Sequence, residues 1–219
     1  SDILETKMLA YTNSRVNALN NKMREILFTK ENEYNRFEFL TGFENFEFNN
    51  QKIWNSMDYI ILEDPIKHDL KIPSFLTLPA YSLALFDSSS NNILNVSILS
   101  KEIEESYTTS LAHTIEEIRL EALHLKNKRD RRASLKWKDY YKLMGSFASP
   151  IDLYYDNRLI KKKSFGYGYA MTIHRSQGSS INNVFIDMKD VSVCRDKEEL
   201  RQLQYVGVSR TKTNCHILQ

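Results

Sequence analysis

The stretch from Met8 to Leu27 changes its hydrophobic period partway, and that change restricts the fold more than any other feature of the chain. Met8-Leu9-Ala10-Tyr11 is a short apolar run that stops at Thr12-Asn13; beyond it Val16, Leu19, Met23, Ile26 and Leu27 recur at helical spacing. The first pattern fits a strand. The second fits an amphipathic helix capped near Asn13 or Ser14, where a short side-chain oxygen can accept from helical N–H groups that otherwise lack partners. A strand feeding straight into a helix is the opening unit of an α/β sheet, whose ligands gather in loops at the carboxyl ends of the strands.

From about Thr41 to Leu99 the character changes. Phe43, Phe46 and Phe48 precede a turn at Trp54, Tyr59 to Leu62 is apolar, Phe75 to Phe86 is a long apolar stretch, and Asn91-Asn92 turns into Ile93 to Leu99. Short β-rich runs divided by Asn, Asp, Ser and Pro predict a small antiparallel barrel or curled sheet. The helix–strand pattern resumes afterwards, so residues 41–99 read as a module inserted in an α/β domain formed by 1–40 and 100–219. Ile115, Ile118, Ala122 and Leu125 mark one helix beyond the module, and Leu135 to Leu143 a second with Trp137, Tyr140 and Tyr141 interspersed. Between and within them run Lys126, Lys128, Arg129, Arg131, Arg132, Lys136 and Lys138; a solvated helix face and a phosphate-contacting patch both fit this run. Later, Ser164 to Thr172 is extended, Val184 to Met188 is a buried strand, Glu198 to Val206 is helical, and His216-Ile217-Leu218 opens or forms a last strand.

Composition excludes several classes. Eleven Phe and twelve Tyr, with 42% hydrophobic residues, belong to a folding chain and not to a disordered one. A formal net charge of +2 leaves any nucleic-acid argument to local clusters. Cys194 and Cys215 match no metal-ligand spacing, and neither a disulfide nor a metal site is assigned. No run reaches the roughly 20 apolar residues of a membrane span, and no secretory pattern opens the chain; a soluble, cytoplasmic protein of a bacterium or a phage-infected host is expected.

The densest chemical signal is Tyr169 to Ser180, which holds hydroxyls, a guanidinium, an imidazole, an amide and a glycine beside an expected strand. Hydroxyls and backbone N–H groups at such a turn make a phosphate seat, and Gly178 lets backbone come close to a ligand. On composition alone an ordinary capped turn remains open.

The run Thr172 to Gly178 resembles the T-x-H-x-S-Q-G motif of superfamily 1 helicases. Gln204 to Lys212, containing Tyr205-Val206-Gly207-Val208-Ser209-Arg210-Thr211, resembles their later Y-V-A-x-S-R motif, and Leu9 to Asn13 resembles the strand and loop that begin their second RecA-like domain. Order and separation agree with the family over nearly the whole chain. The resemblance is best with the 5′-to-3′ branch that holds the Dda, RecD-type and Pif1-type helicases, and within it with the phage Dda-type group, on Asn50 to Asn55 and Trp137 to Tyr141. It implies an α/β, RecA-like second motor domain without the P-loop, carrying an SH3-like barrel at 41–99.

What the resemblance implies for residues follows its motifs. Arg210 would reach the γ-phosphate of ATP and stabilise charge on the transferring phosphoryl group, a task suited to a permanent, forked cation. Gln177 and Gly178 would face the nucleotide, with Arg15 near it; Thr172, His174 and Ser176 would hold the backbone of single-stranded DNA, with Thr12 and Asn13 beside them. Tyr205 and Val206 would position the Ser209-Arg210 turn by packing. Gly207 stands where the family often has alanine. No G-x-x-x-x-G-K-[ST] loop and no magnesium-binding Asp-Glu pair is present, so ATP and Mg²⁺ would be held mainly by an N-terminal RecA-like motor domain of the same protein, and this chain alone is expected to be inactive, an excised half. A non-catalytic nucleic-acid-binding or protein-docking module, or part of an RNA motor, also fits these residues.

Overall fold

The computed structural model describes residues 5–28, 32–48, 51–72, 76–87 and 89–218, and the chain divides into two compact units, 1–32 with 167–219, and 33–166. Phe75, within the long apolar stretch, Asn50, within the resemblance, and Asn49 lie outside the described residues.

The first unit is a parallel sheet. β1 (Thr6–Ala10) pairs on one side with β12 (Ala170–Thr172) and on the other with β13 (Ile181–Asp187), which pairs with β14 (Thr211–Leu218), giving the order β12-β1-β13-β14. Side chains alternate across a strand, so β1 serves two cores. Met8 and Ala10 meet Val16 and Leu19 of α1 (Asn13–Leu27) together with Ala170. Leu9, on the opposite face, joins Met171, Ile173, Val184 and Ile186, over which lie Val191 of the one-turn α4 (Met188–Val191) and Leu203 of α5 (Lys197–Ser209). The edge strand is held from α1: buried Asn20 donates from Nδ2 to Ala170 O at 3.1 Å and accepts from Ala170 N at 2.8 Å. The helix cap falls on Thr12, one residue before the expected position, with its hydroxyl accepting from Arg15 N at 3.2 Å.

The second unit is an antiparallel sheet with two helices packed on it. β2 (Phe39–Gly42), β5 (Asp58–Ile61), β6 (Ile66–Ile72), the twelve-residue β7 (Leu76–Asp87), β8 (Asn92–Leu99) and β11 (Phe165–Tyr167) form the order β11-β2-β5-β7-β6, with β8 on β7. β3 (Phe46–Phe48) and β4 (Gln51–Ile53) make a separate hairpin.

The expected SH3-like barrel is not closed. The strands stay in an open order with β8 paired to β7, and at the far end of β8 Leu99 N donates to Ala148 O at 3.0 Å and Ala148 N to Ser97 O at 2.8 Å, so the segment after the helices bridges there. The helices also lie on a different side of the division from the one expected. Leu111, Ala112 and Ile115 of α2 (Glu105–Asn127), with Leu143 of α3 (Ala133–Met144), share a buried cluster with Ile72, Leu78, Ala80 and Leu99. Their apolar stripes are thus buried on the β-rich sheet, and residues 100–166 fall with it. A hairpin of β9 (Leu153–Tyr155) and β10 (Arg158–Lys161) adds Leu153 to the same cluster. Among the described residues no helix is long and apolar enough to cross a membrane.

Candidate functional site

Two edges of the parallel sheet receive the motif residues. Thr172 ends β12 beside Ala10 at the carboxyl edge, and the chain then returns to Ile181, which opens β13 at the amino edge. Residues 172–181 therefore bridge the edges. Their core anchor is Ile173, fully buried, whose N–H donates to Ala10 O at 2.9 Å.

At the carboxyl edge lie Thr12, Asn13, Arg15, Thr172 and His174. Thr172 Oγ1 accepts from Arg175 N at 3.2 Å and so caps the turn it opens. His174 is exposed; its Nε2 is 3.7 Å from Glu199 Oε1, and Tyr11 OH reaches the same oxygen at 3.5 Å. The Tyr11 phenol is raised above its ordinary pKa, first by its hydrogen bond to Cys194, then by the charges of Cys194 and Glu199. Glu199 is in the first turn of α5, whose cap Asp196 accepts from Glu198 N at 2.8 Å and Glu199 N at 3.0 Å. Those two N–H groups hold the Asp196 carboxyl below the usual range.

The first loop is held from beneath by Asp190, whose Oδ2 accepts from Tyr11 N and Thr12 N, both at 2.7 Å, and whose Oδ1 accepts from Thr12 Oγ1 at 2.8 Å. The Thr12 hydroxyl hydrogen is therefore spent on a carboxylate, while Asn13 is exposed at this loop. Arg15, expected to approach the nucleotide, stands on the first turn of α1 beside this loop. Its Nε meets the buried Asp187 at 2.6 Å. Burial alone would push the Asp187 carboxyl up; the hydrogen bond from Arg15, the N–H groups of Asp190 and Lys189, and the Arg15 charge outweigh it and bring it below the ordinary value.

Ser176 is also placed differently from its expected role at a DNA backbone. It is fully buried and its hydroxyl donates to Ile173 O at 2.7 Å, which makes it a brace of the turn. Gln177 and Gly178 are exposed beyond it. Gly178 has φ +84°, in the left-handed region that favours glycine, and open space where a side chain would stand.

Arg210 is at the amino edge. It ends α5 as the C-cap, its carbonyl accepting from Ile181 N at 2.9 Å, three residues along from Gly178. Its Nε donates to Val206 O at 3.3 Å and its Nη2 to Ser209 Oγ at 2.9 Å, and it has no carboxylate within ion-pairing distance among the described residues. A cation also suits the negative end of the helix dipole. Val206 packs into the core, as expected, but Tyr205 does not: it is 75% exposed.

The structure thus puts Arg210 at one edge and Thr12, Asn13, Arg15, Thr172 and His174 at the other, with Gln177 and Gly178 on the turn that leads from the second toward the first, Gln177 N donating to His174 O at 3.3 Å. Asp187, Asp190 and Glu199 were missed by sequence reasoning. Asp187, closing an apolar strand three residues before Asp190, carries the signature of a helix cap; Glu199 has no local signal, because its partners are distant in sequence. Among the described residues no group of His, Cys, Asp and Glu is placed to hold a metal ion.

One curated relative, an uncharacterized protein of Acanthamoeba polyphaga mimivirus, is 25% identical over 122 residues, which is 54% of this chain and 24% of that protein. A solved structure, the Pif1 helicase of Candida albicans, aligns with 98% of this chain at 12% identity and a TM-score of 0.49, and the chain covers 45% of it. The chain thus spans less than half the length of either. Residues 167–218 match the UvrD-like helicase C-terminal domain, a span that contains the motif residues from Thr172 to Arg210.

Proposed function

We propose that this chain is the second motor half of an ATP-dependent DNA helicase, translocating 5′ to 3′ on single strands, with the nucleotide met at the amino edge and the DNA backbone at the carboxyl edge. The observation that carries the reading is the state of Arg210. Its guanidinium is bonded to neutral acceptors alone, a carbonyl and a hydroxyl of its own helix end. Charge-assisted bonds to phosphate are about twice as strong as bonds to neutral groups, so a γ-phosphate would take it from them. Gln177 and Gly178, exposed on the same return, would sense the same phosphate. ATP with Mg²⁺, held mainly by an N-terminal motor domain, supplies the phosphoryl group and its charge neutralisation; this chain's part is to place a fixed cation against it.

At the other edge His174, Asn13 and the arginine fork of Arg15 left free by Asp187 would hold phosphates without reading bases, so binding would be salt-sensitive and weakly sequence-dependent. Position on α5 links the edges: Glu199 in its first turn contacts His174 and Arg210 closes its last.

The test is single-strand-stimulated ATPase activity of the full-length protein, wild type against Arg210→Ala. A fall of about 100-fold or more in turnover with nucleotide binding kept is the expected result. Robust stimulated turnover in the variant would overturn the assignment and favour a non-catalytic nucleic-acid module.

A further inference from the structure

The exposed face of α3, in the other unit, combines two features that the motor reading does not use. The first is aromatic. Tyr141 is 65% exposed, yet its ring is fixed: Trp137 stacks with it at 5.8 Å and 28°, and Tyr140 meets it edge-on at 5.2 Å. Tyr140 is itself packed against the buried cluster under α3, so the exposed ring rests on the core. An exposed tyrosine is usually mobile; this one is pre-organised.

The second feature is charge. Lys138 lies three residues before Tyr141 and four before Lys142, spacings that make helix neighbours of each pair, and all three side chains line one groove. Of the eight basic residues between 126 and 142, Arg132 pairs with Asp130 at 2.7 Å and Lys136 with Glu121 at 2.7 Å. The other six have no carboxylate within ion-pairing distance among the described residues. Beside Tyr141 a groove of about 840 Å³ runs between Lys138, Tyr141 and Lys142 on one wall and Asn45, Phe46 and Glu47 on the other. That volume is within the roughly 300–1,000 Å³ of ligand pockets. Two carboxylates border it. Glu44 is occupied, lying 3.6 Å from Lys161 and accepting from Ser164 Oγ at 3.0 Å, which leaves Glu47 as the opposing charge.

We propose that this face is a second binding site for single-stranded nucleic acid, in which a base stacks on the Tyr141 ring against the groove while Lys138, Lys142 and the cations at 128–131 follow the phosphates. Aromatic platforms bracketed by unpaired cations are the physical recipe for sequence-tolerant single-strand binding, since every base has a π-face and every linkage a charge. An acidic protein segment would satisfy the lysines but has no use for a fixed, exposed ring at the rim of the groove. The inference does not rest on the motor reading, because it uses no residue of the parallel-sheet unit.

Both tryptophans, Trp54 and Trp137, belong to this unit, so Trp54→Phe leaves Trp137 as a single reporter beside the stack. Titrating that chain with oligothymidine and oligouridine should quench Trp137 emission saturably. Tyr141→Ala should weaken binding about tenfold and Tyr141→Phe should leave it nearly unchanged, the magnitude expected of one stacked base. Lys138→Glu with Lys142→Glu should weaken it further and flatten its salt dependence. Oligonucleotide binding by anisotropy without Trp137 quenching, the absence of any binding, or equal quenching by an abasic phosphodiester polymer or polyglutamate would each overturn the proposal.

Discussion

Asp187 sits where a strand ends, and two demands meet on one carboxylate: it accepts from the N–H of Asp190 at 3.2 Å to start α4, and it takes Arg15 Nε at 2.6 Å. Its side chain is 4% exposed against 46% for Arg15, so the pair is only half desolvated. The carboxyl is held below its ordinary pKa in the folded chain by these donors in spite of burial. The sign follows from linkage: stability from this group is complete above the unfolded value of about 3.9 and is lost as pH falls through the lower folded value. Acid unfolding followed by circular dichroism should therefore show a component below about pH 4 that Asp187→Asn removes. At pH 7 the same substitution should cost about 2 kcal/mol in urea, the scale of a hydrogen bond to a charged group. An unchanged acid limb in the variant would mean that Arg15 and Asp187 do not stay paired in solution.

At the scale of elements, α5 carries Glu199 in its first turn and Arg210 at its end, and Gly207 sets how closely it lies on the sheet. A β-carbon there would come 3.1 Å from Ile186 Cδ1 and 3.7 Å from Ile173 Cδ1. Alanine would gain about 1 kcal/mol of helix propensity, offset by the shift it forces on the end of one isoleucine. Gly207→Ala should hence be within about 1 kcal/mol of wild type, whereas Gly207→Val, too large for that gap, should lose about 1–3 kcal/mol; thermal unfolding of both decides it. Near-equal losses would place the close approach elsewhere. The glycine was visible in the sequence as a departure from alanine, but its packing was not, because Ile173 and Ile186 reach it only after the sheet is assembled. The same boundary runs through the rest of the fold. Strand-to-helix switches at Met8–Leu27 and the apolar run at Val184 were legible since each is a local period. The ownership of α2 and α3 was not: an apolar stripe says that a helix is covered and is silent on which sheet covers it. The β9–β10 hairpin was overlooked although Asp156-Asn157, at φ 48° and 58°, is the two-residue turn pattern that polar residues favour. At the site, His174, Gln177 and Arg210 stood out through their motifs, while Asp190 and Glu199 act through partners that lie far along the chain.

For the whole molecule, two compact units, each with buried clusters of its own, imply two separable stabilities. Leu203 is 3% exposed within the cluster of Leu9, Ile173, Val184 and Ile186, and Leu78 is 1% exposed within that of Leu99, Leu111, Ile115 and Phe147. No residue is shared between the clusters. Truncating either leucine to alanine should cost about 2–5 kcal/mol, the transfer term plus the cavity it leaves. Because both tryptophans are in the antiparallel unit, Trp emission reports that unit alone, whereas the parallel-sheet unit appears only in signals such as amide exchange at β13 and β14. Leu203→Ala should thus speed amide exchange in β13 and β14 and leave the urea midpoint of Trp emission in place; Leu78→Ala should move that midpoint and spare those amides. If either substitution shifts both signals by the same free energy, the units unfold as one cooperative body, and strain at the Arg210 edge would be felt at the α3 face as well.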